Sequence, residues 1–319
     1  MEMGRLMRIA VIFPGQGSQT LGMGVDAAAN SAAARELFER AIPVLGYDLL
    51  ALQKNGPEEK LRETQYSQPA IFATNVALFA ALDLPPESVV VSAGHSFAEF
   101  CSLYAAEAIG FEDALRVVNA RGIAMQRAAD RAAGGMSAIL GLEAEMIRRV
   151  VEQTRERTGG RVQLANFNSP TQIVISGDLV AVQTAGDALL NAGAKRVVPL
   201  NVSGAWHSAL MEPAIEQFAP VVEAAPFTLP RFDVISNVDA QPYRDVATIK
   251  KNLILSITHE VRWHETAERL VEYDLDLIVE CGASPVLGPL MKRSIPAAPE
   301  IVVVSDYGGV KKLRDTVLA

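Results

Sequence analysis

The sequence predicts an α/β protein in which a parallel-sheet domain is interrupted by a small ferredoxin-like domain. Short Val- and Ile-rich runs end in turn residues, Ala- and Leu-rich amphipathic stretches separate them, and the segment 133–199 changes rhythm. Runs that are apolar on both faces suit strands buried inside a parallel sheet. Strands that alternate with helices build a sheet with both faces covered.

Ile9–Phe13 is the first expected strand, and Ala32–Val44 and Pro69–Leu82 follow as helices. Val89–Ala93 is the next strand and Phe111–Ala129 the next helix. Gly134-Gly135 then opens the different segment: Met136–Leu142 reads as a strand, and Glu145–Arg157 as a helix with Met146, Ile147, Val150 and Val151 on one face. Val162–Phe167 and Gln172–Ser176 read as strands joined by a turn at Asn168-Ser169-Pro170. Leu179–Ala192 is a second helix, stopped at Gly193, and Lys195–Leu200 closes as a strand. Strand, helix, strand, strand, helix, strand is the split order of a ferredoxin-like unit. Phe232–Ser236, Leu275–Glu280 and Ile301–Ser305 return to the first rhythm. Residues 1–132 and 200–319 are therefore expected to form one discontinuous sheet domain and 133–199 the small inserted one. A cleft between two such units is where substrate sites tend to form. The chain has no internal repeat and no low-complexity tract.

Composition narrows the function classes. Of 319 residues, 50% are hydrophobic and 21% charged, enough to bury a core and exclude disorder. The net charge of -8 argues against nucleic acid, whose phosphates need massed Lys and Arg. Cys101 and Cys281 are far apart, with no metal or redox spacing; as buried small hydrophobes they fit a reducing cytoplasm. No apolar run approaches the roughly 20 residues of a membrane span. Met1 to Arg8 lacks the apolar stretch of a secretory signal, and Met7 is an alternative start.

Chemistry concentrates at Val89-Val90-Val91-Ser92-Ala93-Gly94-His95-Ser96-Phe97-Ala98-Glu99-Phe100. An apolar strand runs into Gly-His-Ser and a helical stretch begins at once, the setting of a nucleophile elbow in a hydrolase-like sheet. The sharp turn lifts the serine hydroxyl above the sheet, at the positive end of the following helix. The usual Gly-x-Ser-x-Gly ends here in Ala98, the smallest available departure. On spacing alone, an ordinary turn serine remains the competing reading.

Further blocks stand in order along the chain: Phe13-Pro14-Gly15-Gln16-Gly17-Ser18-Gln19 before the elbow and Asn119-Ala120-Arg121-Gly122 after it. Asn168-Ser169-Pro170-Thr171-Gln172, Val202-Ser203-Gly204-Ala205-Trp206-His207-Ser208 and Glu280-Cys281-Gly282-Ala283-Ser284-Pro285-Val286-Leu287 follow. With these blocks in family order, and the elbow carrying Ala for Gly and Phe for Tyr, the chain resembles the malonyl-CoA:acyl carrier protein transacylases, the family that also supplies acyltransferase domains to fatty acid and polyketide synthases.

The resemblance implies a reaction and its residues. Ser96 is the expected nucleophile and His207 its base, since serine is a weak nucleophile without one. The backbone N–H groups of Phe97 and Gln16 are the expected oxyanion donors, which would require the Gly15–Gly17 loop to approach the elbow closely. Arg121, on spacing alone a solvated helix residue, is expected to hold the malonyl carboxylate through paired hydrogen bonds. Trp206, His95 and Asn168 are expected around the substrate, with Trp206 narrowing the space at the malonyl α-carbon. His95 reads as a packing or entry residue rather than a second base.

In the family a backbone carbonyl orients the catalytic imidazole, from the Gln of Gln-Leu-x-x-Pro-Val-x-Trp. The stretch here is Ser256-Ile257-Thr258-His259-Glu260-Val261-Arg262-Trp263, so Ser256 is the expected acceptor and Glu260 replaces the Pro. Lys195, Arg196, Lys292 and Arg293 are either plain surface charge or a docking patch for an acidic acyl carrier protein. His259 and His264 lack the companions of a metal site and read as solvated histidines.

The expected activity is transfer of malonyl from malonyl-CoA to a carrier protein's phosphopantetheine thiol, with no metal or redox cofactor. The competing readings are an editing acyl hydrolase and a non-catalytic docking module for carrier proteins. Arg121 opposes the first, because a plain acyl chain gives a carboxylate clamp nothing to hold. The intact Ser96 and His207 oppose the second.

Overall fold

The computed structural model describes residues 5–317. The Met1–Gly4 part of the signal-sequence reading, and Leu318 and Ala319 of the expected large domain, lie outside the described residues. The strands are β1 (Ile9–Phe13), β2 (Val89–Gly94), β3 (Gly134–Leu140), β4 (Val162–Ser169), β5 (Gln172–Asp178), β6 (Arg196–Pro199), β7 (Asp233–Ile235), β8 (Leu277–Cys281) and β9 (Glu300–Val304). They form a five-stranded sheet of order β7-β2-β1-β8-β9 and a four-stranded sheet of order β4-β5-β3-β6.

Every pairing in the five-stranded sheet is parallel. Strand β1 lies at its centre with all of its residues buried, which is why the sequence there is apolar at every position. Alternate residues serve opposite faces. Ile9, Val11 and Phe13 pack into the larger core, which includes the helices Thr64–Leu82 and Phe111–Ala129. Ala10 and Ile12 pack with Val91, Ala93 and the helices Trp263–Val271 and Leu287–Ser294. Helix Thr64–Leu82 carries Pro69 inside it, whereas the sequence reading started the helix at that proline. Proline favours a first turn, but Ser67 and Gln68 are buried and extend the helix N-terminally.

The four-stranded sheet is antiparallel throughout. Its order places the closing strand β6 beside the opening strand β3, with β5 on β3's other side, which is the ferredoxin-like topology. Helices Ala144–Thr158 and Leu179–Asn191 cover it through Ile147, Val151, Ala185 and Leu189 against Ile139, Ile173 and Ile175.

One turn is corrected. Strand β4 continues through Ser169, and Ser169 faces Gln172, so Pro170 and Thr171 make the turn and Asn168 is a strand residue. A two-residue connection suffices for an antiparallel hairpin. A register shift between Phe167 and Ser169 breaks the ladder at Asn168, and such irregularities re-aim side chains.

Candidate active site

Strand β2 delivers the chain to Gly94, and Ser96 follows with φ 56, in the left-handed region. A short 3-10 turn, Ser96–Ala98, then leads into helix Glu99–Ala105. Glycine is required at 94, because a Cβ there would overlap the Ala98 carbonyl. Ala98 has φ -65 and ψ -5, ordinary right-handed values, so its methyl group demands no strain in the elbow. The left-handed serine costs on the order of 1–3 kcal/mol and persists only where its surroundings over-determine it.

Asn237, just beyond β7, supplies that support. The Ser96 N–H donates to Asn237 Oδ1 at 3.0 Å, and Asn237 Nδ2 donates to the carbonyls of Gly94 at 2.9 Å and Ser96 at 3.3 Å. The Asn237 N–H donates to Glu99 Oε2 at 3.0 Å, and the Asn237 amide and Tyr243 hydroxyl also donate to the Glu99 carboxylate. Burial pushes Glu99 above the usual carboxylate range, and these donors oppose the shift.

The Ser96 hydroxyl donates to His207 Nε2 at 2.7 Å. His207 Nδ1 faces two carbonyl oxygens, Ser256 at 2.7 Å and His259 at 3.1 Å. Carbonyls only accept, so Nδ1 carries the ring proton and Nε2 is free to accept from serine. Burial, reinforced by the charge of Arg121, lowers His207 to about 3, so the imidazole is neutral and its Nε2 lone pair is open to the serine hydroxyl. Its backbone is also left-handed, with φ 58.

The Gly15 loop closes on the elbow: a Cβ at Gly15 would stand 2.5 Å from the His95 carbonyl oxygen. The loop is steadied by a hydrogen bond from Gln16 Nε2 to Thr64 Oγ1 at 3.1 Å. Ser96, His207, Gln16, Arg121 and Trp206 all line one cleft of about 610 Å³. Arg121 is 0% exposed, and its Nε, Nη1 and Nη2 all lack a hydrogen-bond partner. A buried guanidinium with unused donors is expensive, and an anionic group entering the cleft could take up those donors. Burial brings Arg121 down to about 9, against the Glu99 carboxylate, so it is charged at neutral pH. The solvated-helix alternative for Arg121 is therefore corrected.

His95 is half-buried and shares a hydrogen bond with Asn168 Oδ1 at 2.9 Å, with Trp263 packed at 5.7 Å. Asn168 does not line the cleft and reaches it only through His95; Asn166 of the same strand lines it directly. Phe97 is buried at 1% exposure, its ring committed to the core. Lys195, Arg196, Lys292 and Arg293 are exposed, and none lines the cleft. His259 is exposed, but His264 is 8% exposed against Phe167 and is not the solvated residue expected, because its helix packs toward β4. No group of three or more His, Cys, Asp or Glu fit to hold a metal occurs among the described residues. Sequence reasoning missed Asn237, Tyr243 and Gln163, a β4 residue that bonds to the His207 carbonyl. A polar Asn at the end of an apolar strand run was the one available signal.

The sequence profile of the acyl transferase domain matches residues 11–309. A malonyl CoA-acyl carrier protein transacylase of Haemophilus influenzae is 39% identical over 314 residues, spanning 96% of this chain and 99% of the relative. The solved malonyl CoA-acyl carrier protein transacylase of Coxiella burnetii superposes with a TM-score of 0.92 at 35% identity, over 98% of this chain and 99% of that one. A malonyl-transacylase solved in complex with its type II polyketide synthase acyl-carrier protein superposes with a TM-score of 0.91 at 39% identity, over 97% of this chain and 99% of that one.

Proposed function

We propose, on the premise that this chain belongs to the acyl transferase family, that it moves malonyl from coenzyme A to the phosphopantetheine thiol of an acyl carrier protein through an acyl-enzyme on Ser96. The observation that carries the mechanism is the buried, unpartnered Arg121 in the same cleft as the 2.7 Å Ser96–His207 pair. The Ser96 oxygen attacks the thioester carbonyl while His207 Nε2 takes its proton. The oxyanion formed is held by the N–H groups of Gln16 and Phe97. Collapse breaks the C–S bond, and His207 returns the proton to the coenzyme A thiolate. In the second half, His207 takes the proton of the carrier's thiol, whose sulfur attacks the acyl-serine. Collapse then gives the proton back to Ser96.

Arg121 pairs with the malonyl carboxylate in both halves, and Trp206 limits the room at the α-carbon. His95, held by Asn168, packs at the elbow. The electron pairs balance within the two acyl transfers, so the reaction calls for no metal or redox cofactor. Residues 133–199 act as the small domain on one side of the cleft. The exposed Lys195, Arg196, Lys292 and Arg293 steer the acidic carrier, in a cytoplasm that holds both substrates. Mixing the protein with malonyl-CoA and quenching should add one malonyl mass to the intact chain, and Ser96→Ala should abolish it. Undiminished labelling of the alanine variant would refute the mechanism.

A further inference from the structure

Gln163 makes hydrogen bonds that no step of this reaction uses. It lies half-buried on β4, in the sheet that does not carry the nucleophile. Its Nε2 donates to the His207 carbonyl at 3.1 Å and to the Thr258 carbonyl at 3.0 Å, while its Oε1 accepts from the Ala209 N–H at 3.1 Å. Thr258 stands between Ser256 and His259, the residues whose carbonyls accept from His207 Nδ1. One amide therefore fixes both the backbone that carries the imidazole and the backbone that orients it.

The rest of the orienting loop is tied to the same strand. The Val261 N–H donates to the Ala165 carbonyl at 2.8 Å, and the Phe167 N–H donates to the Val261 carbonyl at 2.8 Å. Glu260 ion-pairs with Arg148 of helix Ala144–Thr158 at 3.4 Å. Its partly exposed geometry makes that pair a minor contributor. The left-handed backbone of His207 is a conformation that needs outside support. Gln163 is the side chain that bonds to its carbonyl.

We propose that Gln163 is a positioning residue for His207, and that the four-stranded sheet takes part in catalysis through it. This rests on His207 being the base. The amide does not touch substrate; it sets the distance and angle at which Nε2 meets the serine hydroxyl. A displacement of about 1 Å at such a pair costs roughly a hundredfold in rate.

Gln163→Leu keeps the volume and removes all of these hydrogen bonds. Gln163→Glu keeps an acceptor for Ala209 and loses the donors to both carbonyls. The readouts are the labelling rate of Ser96 by a fluorophosphonate, the single-turnover acylation rate with malonyl-CoA, and the dissociation constant for malonyl-CoA. Both variants should lose about tenfold to a hundredfold in both rates, with the dissociation constant unchanged within about twofold. If Gln163→Leu fails to fold, the near-isosteric Gln163→Glu decides. Wild-type rates in folded Gln163→Glu, or a loss of affinity as large as the loss of rate, would overturn the proposal. His207→Ala serves as the reference. Slow labelling there with fast labelling in the Gln163 variants sinks this inference alone, whereas fast labelling in His207→Ala sinks the base assignment itself.

Discussion

Removing the guanidinium at Arg121 separates carboxylate recognition from structural support. In the proposed complex, charge-assisted hydrogen bonds from this buried side chain to the malonyl carboxylate would be worth on the order of a few kcal/mol. Arg121→Ala should therefore lose about a hundredfold or more in malonyl transfer, at about 1.4 kcal/mol per factor of ten. Acetyl-CoA leaves the wild-type arginine buried without a partner, so the variant should keep or gain acetyl transfer. Side-by-side rates with both thioesters check this; an equal fall for both would assign Arg121 to the fold. The pH profile tests His207. Protonation disables a base, and its lowering to about 3 keeps the active form present far below the ordinary histidine value of about 6.5. Single-turnover acylation should stay level as pH falls from about 7 to about 5. An acid limb centred near 6.5 would contradict the neutral, buried imidazole. That Ser96, His207 and Arg121 share one cleft was legible in the sequence, because each lies in a continuous motif. Asn237 and Gln163 were not, because each acts on backbone from a distant segment: Asn237 on Gly94 and Ser96, Gln163 on His207 and Thr258.

The elbow offers a test at the scale of an element. Ala98 stands in an ordinary helical conformation and is fully buried, while Gly94 has no room for a side chain. Ala98→Gly should therefore leave Ser96 acylation within about threefold while lowering stability by at most about 1 kcal/mol, the entropic cost of glycine where alanine fits without strain. Gly94→Ala should abolish acylation, because the strand-to-turn packing cannot form. Intact-mass labelling and thermal melts of the two variants decide between these outcomes. Strands β1 and β8 were readable because burial on both faces leaves apolar residues at consecutive positions, Ile9–Phe13 and Leu277–Val279. The N-terminal part of helix Thr64–Leu82 was not, because its polar Ser67 and Gln68 are buried by tertiary packing that no local pattern announces. The β4–β5 hairpin was found but its turn misplaced, because Asn and Ser mimic turn chemistry while serving as strand residues here.

At the scale of the whole molecule, a chain of net charge -8 would repel an acidic carrier protein unless local positive charge offset it, which makes the proposed basic pairs testable. Lys195 and Arg196 lie where β6 begins, and Lys292 and Arg293 close helix Leu287–Ser294, so each sheet layer contributes one pair. Reversing the charge of either pair should raise the KM for carrier protein several-fold and leave acylation by malonyl-CoA unchanged. Steady-state kinetics at low and high salt would check it, since added salt should shrink the difference. Carrier kinetics indifferent to both reversals would place docking elsewhere. Both sheets and their connection were legible because the segment 133–199 breaks the apolar rhythm on either side of it. The position of β1 has a further consequence, for biogenesis. It is hydrogen-bonded on one side to β2 and on the other to β8, which begins only at Leu277. At roughly 5–20 residues per second on the ribosome, the central strand waits on the order of tens of seconds for its second neighbour. Through that interval it is an apolar edge open to wrong partners, so mispairing of β1 is a hazard of the nascent chain that the finished sheet no longer carries.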